Sequence, residues 1–432
     1  MAEGPTGRIE PRSRFTLHSV AGPAGTMLDG GPAASPYGEL SPLVGPFPRL
    51  VARVSGPERE LEEAARGLPS GAAKPEALAV RLRRAGAELS WGPPDALPDT
   101  AAYLRLCHER GASSVELVRA DPTLLTEMQI GAFFHAYWRR RVARLAALRL
   151  GLGPSVLRGR MTGMAADVAF WAGVRSRATP SEWERFARSS YVVFYYHRIG
   201  ERGKPGEERL DVHPRRFERQ LRLLRALRFR PLTLAELVAF HTDPEMTLPR
   251  RSFVISADDG FQDAVVAFNA HADVRPVVFV NTSAVGGRAS WAYEEPLAGW
   301  QELKELEDAG GVVASHCRGH PRLPELDDDA LDDELAGSLA ELREQLPQAP
   351  GLFAYPHGLH DERVRARVLA AGYDAAFTTQ PGRNGAGTDP YCLRRIGLKD
   401  WDGAVPLLWK ATTGELLPWI WERARRRLRG SA

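Results

Sequence analysis

From Tyr191 onward, short apolar runs alternate with stretches whose apolar residues recur every three or four positions. YVVFYY reads as a strand, and HPRRFERQLRLLRALR as a helix with Phe217, Leu221, Leu224 and Leu227 on one face. RPLTL is short and extended, and AELVAFH is helical. SFVISADD, RPVVFVNTS, GVVASHC, GLFAYP and YDAAFTT read as further strands, with CLRRIGL a last extended run. Between them FQDAVVAFNAHA, WQELKELEDAG, the acidic LDDDALDDELAGSLAELREQL and DERVRARVLAAG read as helices. Strand and helix in this succession predict an α/β fold with a parallel sheet, closed or nearly closed as a barrel.

The residues before Tyr191 lack this rhythm. Residues 1–75 are rich in Gly, Pro and Ala, with a strand-like PRLVARV and a helical GPERELEEAARGL. Residues 76–118 look mixed, with a helix near TAAYLRLCHERG. The stretch 122–150 predicts one long helix with Pro near its start, and further helices are expected near 162–174 and at SEWERFA. The expected organisation is a partly irregular N-terminal region over 1–120 and a helical segment over 121–190 that packs on or leads into a barrel. The barrel itself would span 191–410, with a C-terminal helix over 411–432.

Composition narrows the picture. At 432 residues, 44% hydrophobic and 26% charged, the chain has the make-up of a soluble globular protein of two or three domains. A net charge of +3 gives no reason to expect a nucleic-acid partner. Three cysteines, Cys107, Cys317 and Cys392, are too few for a disulfide framework and fit a reducing compartment. MAEGPTGRIEPRSRF has no apolar core of signal-peptide length, so a cytoplasmic location is expected. The helix over 136–150 is amphipathic and basic. It would pack with its arginines on a wet face, or touch an anionic membrane surface.

The chemistry concentrates at strand ends. SFVISADDG ends an apolar run with two adjacent carboxylates, Asp258 and Asp259, where sites of α/β folds gather. Two such neighbours repel, so a metal or a shared proton would let them coexist. A solvated turn or a helix N-cap at Asp259 is the plainer alternative. About sixty residues on, GVVASHCRGH ends in His316 and His320. One carboxylate and two imidazoles are a common ligand set for zinc, which would leave the second carboxylate free as a base. Gly and Pro beside these histidines make the segment a turn, so two surface histidines are the alternative reading. Trp291, Tyr293 and Trp300, in the loop before the next helix, would stack on sugar rings or pack against loops.

In order, YYHRI, FERQL, SADDG, VVFVNTS, WQELKEL, SHCRGH, FAYPHG, AGYDAAFTT and LRRIG resemble the polysaccharide deacetylase domain, the NodB-homology or carbohydrate esterase family 4 fold. The resemblance covers about residues 191–400. It implies a distorted (β/α) barrel, preceded here by a mixed, mainly helical region, and a bacterial, metal-dependent hydrolase that removes acetyl groups from N-acetylated sugars. By family order Asp258 would be the base, and Asp259, His316 and His320 would hold the metal, zinc above all. Tyr355, Pro356 and His357 would form a wall of the groove, with the His357 amide facing the developing oxyanion.

Three positions depart from the common family pattern. Cys317 stands where Ser or Thr is usual. Ala354 stands where an arginine usually orients the base. Arg395 stands where many members carry a late acid histidine, and would then serve as a substrate contact. In a branch whose domain begins with a YH strand, the acid comes from that strand, which makes His197 the candidate. Residues 90–190 are weakly similar to tails of bacterial glycosyltransferases. Hydrolysis of another C–N amide, or glycan binding with little turnover, are the alternatives to deacetylation.

Overall fold

The computed structural model describes residues 13–21, 51–92, 95–96, 99–151, 162–201, 211–292 and 294–416. Tyr293 and most of the expected helix over 411–432 lie outside them. The chain divides into two compact units, Met1–Arg188 with Gly385–Gly387, and Ser189–Asn384 with Thr388–Ala432.

The first unit is built on a small sheet. Strand β1 (Arg14–Ala21) pairs antiparallel with β2 (Val51–Ser55) and parallel with β3 (Glu88–Trp91). Helices Thr100–Ala120 and Thr162–Arg177 approach each other closely at two glycines. A Cβ at Gly111 would lie 1.9 Å from the Phe170 carbonyl oxygen, and one at Gly173 would lie 1.9 Å from that of His108. Only glycine admits this contact.

The single helix expected over 122–150 is three pieces. Two 3-10 segments, Pro122–Thr126 and Gln129–His135, precede a helix at Trp138–Arg149. Extended backbone at Met128, Ala136 and Tyr137 breaks the run. The breaks let Ile130, Ala132 and Phe133 turn into the core, where burial outweighs helical continuity.

Within Trp138–Arg149, Arg141 and Arg144 are buried rather than wet. Arg144 meets both oxygens of Asp167 (2.7 and 2.8 Å) and lies over the rings of Phe133 and Trp171. Contact of residues 136–150 with a membrane has no support in this geometry. No helix among the described residues is long and apolar enough to cross one.

The second unit shows the alternation read from the sequence. Its strands are β4 (Ser190–Tyr196), β5 (Ser252–Ala257), β6 (Val277–Val280), β7 (Val312–Ser315), β8 (Leu352–Ala354), β9 (Ala375–Phe377) and β10 (Ile396–Gly397). They run β9-β8-β7-β6-β5-β4 in space, every neighbouring pair parallel.

The segment Leu393–Leu398 joins the two edges. Leu393 bridges to Phe377 of β9, β10 pairs parallel with β4, and the Leu398 amide donates to the Tyr195 carbonyl. The result is a distorted barrel in an α/β fold. Its strands are predominantly apolar because both faces are covered; every residue of β5 is buried. Parallel strands place all their C-terminal ends on one rim. The last helix among the described residues is Ala404–Thr413, stopped by Gly414 at φ +74°.

One stability test follows from the first unit. Arg144→Ala leaves the buried Asp167 with only the more distant Arg140, at 4.0 Å, as a counter-charge. It is expected to lower unfolding stability by about 3–5 kcal/mol, as read by denaturant titration, while Arg139→Ala, on the exposed side of the same helix, changes little.

Candidate metal centre and active site

Three rim loops build the site, and each contains left-handed backbone. Asp259 (φ +70°) and Gly260 (φ +73°) follow β5, Cys317 (φ +71°) and His320 (φ +65°) follow β7, and His357 (φ +59°) follows β8. A left-handed non-glycine costs on the order of 1–3 kcal/mol. Four of them clustered on one rim mark where packing has been overridden to aim side chains.

Asp259, His316 and His320 offer ligand atoms that lie within 4.8 Å of one another. Both imidazole Nε2 atoms face the Asp259 Oδ1, at 3.7 Å for His316 and 3.4 Å for His320. His316 donates its Nδ1 proton to the Ala354 carbonyl (2.7 Å), which fixes the tautomer and leaves Nε2 bare for a metal. Burial, then the Asp258 charge, push the Asp259 carboxyl up to about 7, against a hydrogen bond from Trp291. Burial also pulls His316 down to about 4 and His320 down to about 2, so both rings are neutral near pH 7. A buried carboxylate without a cation beside two unprotonated imidazoles is what a divalent metal would complete.

Asp258 has a different partner. Arg395, itself fully buried, meets its two oxygens at 2.6 and 2.9 Å. Burial pushes the Asp258 carboxyl up, but Arg395 first and then His316 and His197 outweigh it, and the carboxyl sits at about 2. The rest of Arg395 is spent as well. Its Nε donates to the Thr378 carbonyl (2.8 Å), and its guanidinium lies over the rings of Tyr195 and Phe279. The substrate contact expected of Arg395 is therefore replaced by an ion pair inside the barrel.

His197 follows β4 on the same rim. Its ring sits in the field of Asp258, Lys399, Arg395 and His316, and its Nδ1 is buried. Burial, helped by Lys399 and Arg395 against Asp258, pulls it down to about 3, so the ring is neutral near pH 7.

The remaining expectations divide. Trp291 stacks on His320 (5.1 Å between centroids, 13° between planes) and its Nε1 donates to Asp259 (3.2 Å). Its ring face is thus taken up by His320 and its N–H by Asp259. Trp300 packs against the barrel core. Tyr355 is not a groove wall: its hydroxyl donates to the Tyr391 carbonyl (2.9 Å) and its amide to the Phe377 carbonyl. Pro356 is buried, whereas His357 is exposed with its ring 4.5 Å from that of His320. His360 stacks on Tyr355, away from the ligands. Cys317 points into the core with Leu323 and Leu331, where burial raises its thiol, so it neither joins nor competes for the centre.

Sequence reading missed Asn281. It follows β6, is buried, and donates from Nδ2 to the His316 carbonyl (2.5 Å). The available signal was a polar side chain closing an apolar strand, the same signal that exposed Asp258.

Residues 246–376 match the family model for polysaccharide deacetylase. This stretch is a polysaccharide deacetylase domain. It contains Asp258, Asp259, His316, His320 and the Tyr355–Gly358 turn, while His197 and Arg395 fall outside it. A comparison with curated proteins gives no match. Among solved structures, a Streptococcus pyogenes deacetylase in complex with acetate is 21% identical, with a TM-score of 0.43, over 49% of this chain and 93% of that one. A polysaccharide deacetylase from Bacillus cereus is 22% identical, with a TM-score of 0.45, over 53% and 70%. IcaB from Ammonifex degensii is 21% identical, with a TM-score of 0.44, over 52% and 97%. Nothing in these likenesses extends to the glycosyltransferase similarity of residues 90–190.

The raised Asp259 carboxyl gives the deacetylase domain a pH signature. Its folded value lies above its unfolded one, so the folded state holds a proton that the unfolded state releases. Metal-free protein should lose stability as pH rises from about 4 to about 7 and level off above. Asp259→Asn removes that loss. Thermal unfolding of metal-free protein at pH 8 should show the variant more stable than the wild type, and equal stability would count against a buried, uncompensated Asp259.

Proposed function

We propose that the deacetylase domain hydrolyses the acetamide of an N-acetylated sugar, releasing acetate and the free amine. The observation that carries this reading is the convergence of Asp259, His316 and His320 beside a second carboxylate, Asp258, that is not among the ligand atoms. A divalent metal, best matched by zinc, would be held by those three side chains and would polarise the acetyl carbonyl and acidify water.

Asp258 takes the proton of the attacking water. Arg395 fixes both of its oxygens, so it is a weak base held in one orientation, and its contribution is aim more than basicity. The leaving amine must be protonated as the C–N bond breaks, and His197 supplies that proton. Its ring is neutral at rest, so it takes up a proton within the cycle before giving one. Overall, water gives hydroxyl to the acyl carbon and a proton to the nitrogen. The His357 amide, in the left-handed turn after Pro356, is the donor assigned to the oxyanion. The three free cysteines fit a reducing, cytoplasmic setting.

Acetate release from a panel of N-acetylated sugars, with metal content measured on the same samples, tests the reading. Asp258→Asn should keep its metal while turnover falls by about 10²–10⁴, and His320→Ala should lose most of the metal. Metal-loaded protein that releases no acetate from any member overturns deacetylation.

Arg395 gives a second test. Arg395→Met frees Asp258 to rise from about 2, because burial then acts unopposed by the guanidinium. A base that protonates at higher pH is lost sooner on acidification, so the acid limb of kcat/KM should move to higher pH. A limb that stays in place would assign the base to another group.

A further inference from the structure

We infer that Glu334, in the acidic helix after the His320 loop, is a positioning residue for the metal centre, a role that rests on the metal-dependent reading above. The helical run from Asp328 to Gln345 is interrupted by a π turn at Asp333–Gly337. Such turns insert an extra residue and occur frequently at functional sites. Here the turn presents Glu334 to the backbone between the two histidine ligands. One carboxylate oxygen, Oε2, accepts from the amides of Arg318 (2.8 Å) and Gly319 (3.0 Å).

The carbonyls of the same loop are also taken. Those of His316, Cys317 and Arg318 accept from Asn281 Nδ2, the Thr282 amide and the Ser283 amide. The loop is thus gripped from two sides, its carbonyls by the residues after β6 and its amides by Glu334.

The grip is needed because the loop is strained. Cys317 and His320 both hold left-handed φ values, and no glycine relieves either. A carboxylate bonded to two consecutive amides is a charge-assisted clamp on that conformation. The Arg318 side chain locks the π turn in return, meeting Asp333 (2.6 Å) on one side and Glu341 (2.6 Å) on the other. There is little room for slippage: a Cβ at Gly337 would lie 2.9 Å from Arg318 Cδ. Without Glu334 the loop relaxes, and His320 moves out of register with His316 and Asp259.

Calorimetric titration of zinc into metal-free protein tests this. Glu334→Leu keeps the bulk and removes the acceptor, and zinc affinity should fall by about 10–100-fold, the usual weight of an outer-shell partner. Glu334→Gln keeps a carbonyl acceptor and should bind close to wild type. Melting temperatures of the metal-free proteins should stay alike, which a merely structural role would not give. Should Glu334→Leu fail to fold, Glu334→Asp, which draws the carboxylate back by one methylene, carries the same test with a smaller expected loss. Wild-type affinity in Glu334→Leu, or Glu334→Gln as weak as Glu334→Leu, overturns the role of Glu334 alone. A wild type that takes up no zinc overturns the metal-centre reading beneath it.

Discussion

Two carboxylates on consecutive residues, both out of water, are the constraint on which the site depends. Asp258 and Asp259 cannot both be charged in a buried setting unless each has a counter-charge of its own. The fold separates the two demands. Asp258 faces inward to the guanidinium of Arg395, just before β10, and Asp259, at a left-handed backbone position, faces two imidazoles. One counter-charge is covalently part of the chain; on the reading proposed above, the other would be an exchangeable metal. That asymmetry lets adjacent, chemically identical groups play different parts.

The same logic accounts for the packing around the pair. Arg395 could not be fully buried without the Thr378 carbonyl, two aromatic faces and Asp258 to use its donors and its charge. His316 keeps its tautomer through the Ala354 carbonyl, and His320 is backed by Trp291. The centre is prepared by neighbours that touch the ligands without being ligands.

Periodicity carried the barrel well. Strand–helix alternation after Tyr191 is strong because parallel strands are buried on both faces and their covering helices are amphipathic. It failed over 122–150, where apolar residues fall at helical spacing but the backbone breaks at Met128 and again at Ala136 and Tyr137 to bury Ile130 and Phe133. Asp258, Asp259, His316 and His320 were legible as one cluster because they follow parallel strands, whose C-terminal ends share a rim. The partner of Asp258 was not: Arg395 lies 137 residues away in sequence, and its neighbour Arg394 is the same residue type. Only the register of a two-residue strand decides which arginine turns inward. Tyr355 misled in the opposite sense, since a tyrosine in a motif draws attention as a groove residue while its hydroxyl is consumed by a local carbonyl.

The segment Leu393–Leu398 both closes the barrel and brings in Arg395. On a ribosome, where the N-terminal part of a chain emerges first, β4 to β9 can be complete while two sheet edges remain open and Asp258 has no cation beside it. Until those last residues leave the exit tunnel, the nascent domain holds an acid pair it cannot pay to bury. Closure of the sheet and neutralisation of Asp258 then arrive in one event, when Leu393–Leu398 take their place between β9 and β4.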